Sequence, residues 1–443
     1  MATSFRRIVL VNPPWSFEGS HYWACTEPHL PLELLYCEAL LKRSGFDAHV
    51  VDAHLEGLSL ESAASRVKDL HPDLVVLTTA PTYLFWRCPP PELDVPAAVT
   101  GALGSIAPVV AVGPHGSATP HYTLDTLGCA AVIRGEPEEE LLRLVRGQPG
   151  DATIWRGQGD TRAGDPAGTD MASLPVLDYS GYPLELRTHR HHVFWGDGRG
   201  AEVEFSRGCP YGCIFCNRRY FRSRYRERPL ERLLAELRTL RARGVDYVYF
   251  IDEVFGLGRG DALLDALAEE RPMQFGCQTR IDLWDEQGLD RLAAAGCISV
   301  EFGLESPFPE VQVALRKGYR MDADRILQLM VHAKERIPWV QGDLVEPPEA
   351  SPDLQQRTEE WRQEAINRGV WVSRPVRLFL YPGSDLFDQR VGPVGDDAWL
   401  LARRQMDDRR AGASPGTAFP SEHDAPDTGR ADGQASEGNR CES

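Results

Sequence analysis

The sequence predicts an α/β protein with two parallel-sheet domains in series. Three observations support this prediction: short apolar runs with little alternation, amphipathic stretches between them, and a Gly- and Asp-rich segment that separates two such regions. Apolar strands without alternation, separated by helices, indicate parallel sheets covered on both faces. At about 100–200 residues per domain, a chain of 443 residues corresponds to two or three domains.

The first region, residues 1–146, predicts a Rossmann-like, doubly wound domain. Helix-like segments at Pro31–Arg43 and Leu60–Leu70 separate short β-branched runs, as the alternation of strands and helices in such a domain requires. The predicted strands are Arg7–Val11, Ala48–Asp52, Leu74–Thr78, Val109–Val112 and Ala130–Ile133.

The second region, residues 201–390, predicts a partial (β/α)6 barrel of the TIM type. Residues 147–200 are expected to be a linker, 391–410 a C-terminal helical segment and 411–443 a disordered tail. A leucine stripe over Glu227–Arg243 has helical spacing and predicts a helix with a core face. The predicted barrel strands are Ala201–Ser206, Val245–Ile251, Gln274–Gln278, Ile298–Gly303, Val340–Val345 and Val376–Tyr381.

Composition and charge exclude several classes of protein. With 42% hydrophobic and 9% aromatic residues, the chain as a whole is not disordered. A net charge of −17 argues against broad nucleic-acid binding, which needs a basic surface. No apolar run has the length of a membrane span, and the N-terminus lacks the features of a signal peptide. We therefore expect a cytoplasmic protein, in which ten cysteines need another explanation than disulfides.

The most informative segment is FSRGCPYGCIFCNRR, which places Cys209, Cys213 and Cys216 in a CxxxCxxC spacing just after a predicted strand. A structural zinc site needs four ligands, and no fourth cysteine or histidine lies in register. Three thiolates suit a 4Fe–4S cluster that keeps one iron open for another ligand. The alternative is three buried cysteines in a loop, but this loop is glycine-rich and polar.

The same segment, with Phe215 at the aromatic position of CxxxCxΦC, resembles the radical S-adenosylmethionine (SAM) superfamily. The resemblance implies that SAM chelates the open iron and that an electron donor of the flavodoxin or ferredoxin type drives its cleavage to a 5′-deoxyadenosyl radical. One departure is the LVEPPEA segment, which stands where relatives carry a glycine-rich turn after the fifth strand. For Asp252, capping of a helix N-terminus is an alternative role. The implied SAM-binding residues are Phe215, Asp252, Glu253, Arg280, Glu305 and Ser306.

The ends of the predicted N-terminal strands carry prolines and glycines that permit close backbone approach to a large planar ligand. In order along the chain, NPP, PLELLYCEALLKRSGF, VGPHG and RGEPEEE resemble the cobalamin-binding domain of one branch of radical SAM enzymes. A nicotinamide or flavin domain is the rival, but no GxGxxG follows the first strand. The implied cobalamin contacts are Pro13, Pro14, Thr79, Gly113, His115, Gly116, Gly135 and Glu136.

The sequence leaves open which group covers the lower face of cobalt. Asp52, His54 and Gly57 spell DxHxxG, which supplies a cobalt ligand in other cobalamin enzymes, but there it follows the first strand and here the second. We therefore expect the match to be coincidental. His115 is the favoured cobalamin contact, as a hydrogen bond to the nucleotide tail or the corrin in place of a cobalt ligand. The lower face is then covered by a bulky side chain, for which the candidates are Trp15, Tyr83 and Trp86.

Two weaker signals concern charged and titratable side chains. Seven arginines between Arg207 and Arg228 form either a solvated segment or an anion site, with Arg218 and Arg222 as the substrate contacts. His189, His191 and His192 are interpreted as surface residues of the linker.

Together these signals predict a cobalamin-dependent radical SAM C-methyltransferase. The family resemblance implies methylation of an unactivated carbon of a small molecule through a 5′-deoxyadenosyl radical and methylcobalamin. A specialised metabolite, as in antibiotic biosynthesis, is the expected substrate class, and the arginine run favours a sugar acid or a phosphorylated glycoside. Two alternatives remain: a non-methylating cyclase or rearrangement enzyme with the same cofactors, and a cobalamin-sensing binding module.

Overall fold

The computed structural model describes residues 5–16, 27–82, 89–158, 168–271, 273–347 and 350–412. Tyr83, Trp86 and the part of the predicted tail from 413 onward lie outside these residues. Within the described parts of the chain, no helix combines the length and apolarity needed to cross a bilayer.

The N-terminal sheet has six strands in the order β2-β1-β3-β4-β5-β6. Strands β1–β5 are parallel, and β6 is an antiparallel edge strand beside β5. This flavodoxin-like order places the point where the chain reverses direction across the sheet between β1 and β3. The strands are β1 Arg7–Asn12, β2 Asp47–Asp52, β3 Leu74–Thr78, β4 Val109–Val112, β5 Ala131–Ile133 and β6 Thr153–Trp155.

Alternate residues of each N-terminal strand enter different cores. Ile8 and Leu10 of β1 pack in the core that contains α1 and α6, the helices Leu32–Arg43 and Glu138–Val145. Val9 and Val11 face the opposite core. The doubly wound prediction is therefore confirmed. The remaining N-terminal helices are α2 Leu60–Asp69, α3 Asp94–Leu103, α4 Pro114–Ala118 and α5 Pro120–Leu127.

The second sheet has the order β7-β10-β11-β12-β13-β14, with β15 beside β13. All its pairings are parallel, which confirms the predicted barrel type. A separate two-stranded ladder joins β8 to β9. The strands are β7 Gly200–Val203, β8 Ser206–Arg207, β9 Arg226–Glu227, β10 Tyr247–Phe250, β11 Gln274–Thr279, β12 Cys297–Glu305, β13 Trp339–Glu346, β14 Trp371–Val372 and β15 Val376–Arg377.

The helices of this half cover the outside of the barrel strands. The leucine stripe forms α7, whose Leu233, Leu237 and Leu240 are fully buried. The predicted C-terminal helical segment is α14, and it extends two residues into the predicted tail. The helices are α7 Leu230–Ala242, α8 Gly260–Glu270, α9 Glu286–Ala294, α10 Pro309–Ala314, α11 Ala323–Lys334, α12 Pro352–Asn367, α13 Asp385–Arg390 and α14 Ala398–Gly412.

The predicted linker is tied to both halves of the chain. It contains β6, and it buries Tyr179 and Tyr182. The Tyr179 hydroxyl donates to Glu236 of α7 at 3.1 Å, and the Tyr182 hydroxyl donates to Asp52 at the end of β2 at 2.5 Å. Residues 168–200 therefore form a packed strap, and the exact domain boundaries stay a prediction.

A buried ion-pair network joins the two halves. Arg207 of β8 is fully buried, and its guanidinium contacts Glu136 and Glu138 of the N-terminal domain at 2.9 and 2.8 Å. The same guanidinium contacts Glu204 of the barrel at 2.5 Å. Several paired and hydrogen-bonded carboxylates are what allow a buried guanidinium, since an unpaired buried charge is strongly destabilising.

Replacing Arg207 by methionine is expected to destabilise the protein strongly. The change leaves the carboxylates of Glu136, Glu138 and Glu204 buried without their shared partner, and breaking a buried pair costs about 3–5 kcal/mol. The measurement is the free energy of unfolding in urea. Arg238→Met is the control, because Arg238 pairs with Glu270 on the surface, where such pairs contribute about 0–1 kcal/mol. Equal losses in the two variants would contradict the network.

The stability of the protein is also expected to fall in acid because of Glu204. Burial raises the pKa of this carboxyl, but Arg207 and Arg222 outweigh it and lower the pKa to about 2. The ion pairs therefore contribute fully above about pH 4.3, the value for an unfolded glutamate, and their contribution disappears as the pH falls toward 2. Urea unfolding across this pH range is the measurement, and Glu204→Gln should lose less stability on acidification than the parent.

Candidate active site

The three cysteines of the CxxxCxxC motif lie in the loop between β8 and β9. Cys209, Cys213 and Cys216 are all half-buried. The loop begins at Gly208, whose φ of +91° lies in the left-handed region. A Cβ at this position would lie 1.9 Å from the Arg224 carbonyl oxygen, so only glycine fits where the two arms of the loop cross.

The spacing of the three sulfurs fits a cluster better than a single ion. Thiolates that share one ion at about 2.3 Å lie within about 4 Å of one another. Among the described residues, only triads of histidines, one of them with Glu301, have ligand atoms that all lie within 4.8 Å of one another. The sulfurs of Cys209, Cys213 and Cys216 are therefore more widely separated than ligands of one ion. In a 4Fe–4S cluster each cysteine binds a different iron, which suits this wider separation.

Lys317 is a residue of this site that the sequence did not reveal. Its ammonium donates to the Gly303 carbonyl at 2.9 Å and forms an ion pair with Glu305. Burial raises the pKa of the Cys213 thiol to about 11, and the nearby Lys317 opposes that rise. Lys317 lies in a loop after α10 with no motif around it, so no local pattern predicts its position.

Arg280 follows β11 and faces the cysteine loop. Its guanidinium stacks over the Tyr211 ring at 3.6 Å and forms two hydrogen bonds to Asp282, at 3.0 and 3.1 Å. It also donates to the Lys317 carbonyl. Arg280 is thus fixed beside the loop, and its predicted contact with the SAM carboxylate stays a prediction.

Asp252 and Glu253, after β10, hold the start of the cysteine loop. Asp252 accepts hydrogen bonds from the Phe205 and Ser206 amides at 2.9 and 2.6 Å, and burial raises its pKa to about 7. Glu253 accepts from the Gly208 amide at 2.7 Å. The helix-capping alternative for Asp252 is wrong, because the next helix, α8, begins at Gly260.

Glu305 and Ser306 lie at the carboxyl end of β12, as predicted. Glu305 has a φ of +59°, an uncommon conformation for a residue with a side chain. Ser306 accepts a hydrogen bond from the Phe308 amide at 3.2 Å. It also lines a cavity of about 220 Å3 that is bordered by α12 and by Val345, Glu346, Pro347 and Ala350. Phe215 packs against the main core.

At the carboxyl end of the N-terminal sheet, hydrogen bonds fix the first loop. The Asn12 amide donates to Asp52 at 2.7 Å, and the Trp15 indole donates to Asn12 at 2.8 Å. Pro13 and Pro14 lie between these anchors, next to the reversal point between β1 and β3. The loop therefore lies where doubly wound domains bind ligands.

The predicted glycines of this edge have packing roles inside the domain. Gly113 has a φ of +134°, and a Cβ there would lie 2.4 Å from Thr79 Oγ1. A Cβ on Gly116 would lie 3.1 Å from the Val132 side chain. The amide of Gly135, at φ +75°, donates to Ser117 Oγ at 2.8 Å. Contact of these residues with cobalamin stays a prediction.

His115 requires a correction. It is fully buried, its Nε2 donates to the Pro90 carbonyl at 2.8 Å, and its Nδ1 accepts from Thr79 Oγ1 at 3.1 Å. Burial lowers the pKa of His115 to about 4, so the ring is neutral. Trp399 of α14 packs on it at 4.5 Å between ring centroids. With both nitrogens engaged, His115 is not placed to bind cobalt or hydrogen-bond to the corrin.

Glu136 and Arg222 also require correction. Glu136, predicted to contact cobalamin, is buried and pairs with Arg207 and Arg226. Arg222, predicted to bind an anionic substrate, is buried and pairs with Glu204 at 2.7 Å and Glu253 at 3.3 Å. The arginine run therefore serves mainly to neutralise buried glutamates.

Two further predictions concern Arg218, as a substrate contact, and His54, as part of a coincidental DxHxxG match. Arg218 is half-buried and lies within the cysteine loop, so its predicted contact with substrate stays a prediction. His54 follows β2, the edge strand of the N-terminal sheet, away from the reversal point between β1 and β3. This position agrees with a coincidental DxHxxG match.

The radical SAM superfamily model matches residues 203–345, which include β10–β12, most of β13 and all three cysteines. Residues 203–345 are a radical SAM domain. The chain is 26% identical over 328 residues to an uncharacterized methyltransferase of Pyrococcus horikoshii, covering 70% of this chain and 68% of that protein. It is also 26% identical over 319 residues to the anaerobic magnesium-protoporphyrin IX monomethyl ester cyclase of Cereibacter sphaeroides, covering 68% of this chain and 50% of that protein.

The radical SAM domain and the domain before it together resemble one solved architecture. The radical S-adenosylmethionine methyltransferase TsrM from Kitasatospora setae, solved with cobalamin and a 4Fe–4S cluster bound, superposes with a TM-score of 0.65. The match covers 87% of this chain and 74% of that one at 18% identity. The likeness establishes the shared two-domain fold.

Gly208→Ala is expected to prevent assembly of the metal centre. The new Cβ would overlap the Arg224 carbonyl and force the first arm of the loop, with Cys209, away from its position. The measurement is iron per chain after anaerobic reconstitution. Gly212→Ala is the matched control in the same loop, because its Cβ would meet nothing closer than 3.8 Å. Normal iron content in Gly208→Ala would contradict this account of the loop.

Proposed function

We propose that the protein is a cobalamin-dependent radical SAM methyltransferase that acts on an unactivated carbon of a small molecule. The observation that carries this proposal is the cysteine loop at the carboxyl ends of the barrel strands, where TIM-type folds place their chemistry. The relatives named as methyltransferases and the cobalamin-bound structural neighbour support the choice of reaction.

The residues around the loop fit a 4Fe–4S cluster and SAM. Cys209, Cys213 and Cys216 would hold three of the four irons, while Arg280 and Lys317 provide positive charge beside a centre whose thiolates are negative. Ser306 borders a cavity that suits part of a small ligand. The chemistry supplied by the bound cluster, SAM and cobalamin is hydrogen abstraction from carbon and delivery of a methyl group.

The N-terminal domain fits cobalamin through its fold and through the fixed loop at Pro13 and Pro14. The carboxyl edge of its sheet is where a doubly wound domain binds its ligand. His115 is sealed in the core, so we propose that the lower face of cobalt is covered by another group, for which Trp15 stands in the right loop.

The interior of the barrel is the proposed substrate site. Tyr249 donates to the Glu301 carboxylate at 3.0 Å, and Gln341 donates to Asp343 at 3.0 Å. Burial and the neighbouring Glu301 raise the pKa of Asp343 well above its ordinary value. These groups suit a polar small molecule. Because the arginine run is mostly paired, it no longer favours an anionic one.

We propose that a flavodoxin- or ferredoxin-type protein of the cytoplasm supplies the electron. A 4Fe–4S cluster with an open iron needs an electron donor of low reduction potential. The cytoplasm is proposed as the location because thiols stay reduced there.

The proposal is tested by anaerobic reconstitution followed by incubation with methyl-labelled SAM and a reductant. We expect about four irons per chain, cleavage of SAM to 5′-deoxyadenosine, and transfer of labelled methyl to a substrate found by mass spectrometry of candidate small molecules. Cys213→Ala should lose the iron and the cleavage. Cys129→Ala, a buried cysteine of the N-terminal domain, is the control and should keep both.

A second candidate is a non-methylating cyclase with the same cofactors. The similarity to the magnesium-protoporphyrin ester cyclase favours it. Under this alternative, SAM cleavage depends on Cys213 as before, but neither labelled product nor S-adenosylhomocysteine forms. Retention of iron and SAM cleavage by Cys213→Ala would contradict both candidates.

A further inference from the structure

Three histidines from two distant parts of the chain lie together in the interior of the molecule. His29 precedes α1, and His189 and His191 belong to the strap before β7. The expectation that the strap histidines lie on the surface is wrong: His191 is 6% exposed, His29 is 5% exposed and His189 is partly buried. Nothing in the proposed reaction uses them.

The geometry of the three rings matches a shared metal ion. One nitrogen of each ring lies within 4.8 Å of the other two. The ring centroids are separated by 5.1 Å (His29 to His189), 5.2 Å (His29 to His191) and 5.7 Å (His189 to His191). Imidazoles bound to one tetrahedral ion at about 2.0–2.1 Å place their centroids about 5 Å apart, so the triangle has nearly the required size.

Surrounding residues fix the orientation of these rings. His29 bonds through Nδ1 to Glu202 Oε1 at 2.8 Å, which makes Nε2 its metal-binding atom. A carboxylate behind a ligating histidine is the usual arrangement in protein metal sites. Arg187 binds both oxygens of Glu202 at 2.9 Å and holds that carboxylate in place. The Tyr249 ring packs on His191 at 4.4 Å between centroids.

The protonation state of the rings suits a ligand role. Burial lowers the pKa of His189 to about 2 and that of His191 well below its usual value. Neutral imidazoles carry the lone pairs that bind a metal, and no proton has to be displaced at neutral pH. The hydrogen bond between the His189 and His191 rings is weak, because the two nitrogens are 3.5 Å apart, at the limit for such a bond.

We propose that His29, His189 and His191 bind a divalent transition metal ion of the zinc type. Imidazole nitrogen is a preferred ligand for Zn²⁺ and its neighbours in the first transition series. The site joins the segment before α1 to the strap before β7, so the ion fastens the N-terminal domain to the base of the barrel. This role is separate from the proposed methyl transfer and from the cysteine cluster.

The test uses full-length protein with its iron–sulfur cluster loaded, so that the cysteines are occupied, and ZnCl2 as the probe. We expect one zinc per chain in addition to the cluster iron, and a rise in the unfolding temperature when zinc is added. His189→Ala and His191→Ala should lose both effects while keeping the iron. His49→Ala, on the exposed side of β2, is the control and should keep both.

Glu202→Gln tests the positioning of His29. Loss of the carboxylate behind a ligating histidine weakens metal binding about 10–100-fold, so zinc should bind to this variant but with lower affinity. If a histidine variant does not fold, X-ray absorption of the zinc-loaded parent decides the matter, with nitrogen scatterers and no sulfur in the zinc shell expected. No zinc at one equivalent, a sulfur-containing shell, or unchanged zinc binding in folded His189→Ala and His191→Ala would overturn the proposal.

Discussion

The arrangement of the whole molecule depends on the buried guanidinium of Arg207. It contacts Glu136 and Glu138 from the N-terminal domain and Glu204 from the barrel. The next two residues are Gly208 and Cys209, so the ion pairs act on the first arm of the cysteine loop itself. A buried cation thus joins the two domains at the point where the chain enters the metal-binding loop, and removing it leaves three buried carboxylates without their shared partner.

The fold explains why this junction also gathers the functional groups. Both sheets are parallel apart from the edge strand β6, so the loops that follow their strands emerge on one edge of each sheet. In the barrel, Asp252 follows β10, Arg280 follows β11 and Glu305 ends β12, and these three strands are successive neighbours in the sheet. In the N-terminal domain α14 returns to the same kind of edge, where Arg403 pairs with Asp94 and Trp399 covers His115.

What the sequence predicted well was local. Most strands of the two sheets, the helix with the leucine stripe and the cysteine motif each depend on residues close together in the chain, and the structure has them near the predicted positions. The pattern missed β6 and β14, and only Val376–Arg377 of the predicted strand Val376–Tyr381 forms a strand. The errors concern residues whose partners are distant. The side chain of Arg222 suits an anion site and that of Glu136 suits a ligand contact, but each is paired with an opposite charge, Arg222 with Glu204 and Glu136 with Arg226. His115 and the strap histidines are polar in sequence and buried in space, and Lys317 belongs to the cluster loop only through tertiary packing.

Hydrogen exchange of Glu136→Gln, read by mass spectrometry, tests the central claim most directly. Glu136 lies in the N-terminal domain and the cysteine loop lies about 70 residues later in the barrel, and the ion pairs of Glu136 with Arg207 and Arg226 join the two. The account predicts faster exchange in residues 206–217 as well as around the substitution, with the rest of the barrel unchanged. Faster exchange confined to residues 134–140 would contradict the claim that the interdomain ion pairs hold the metal-binding loop.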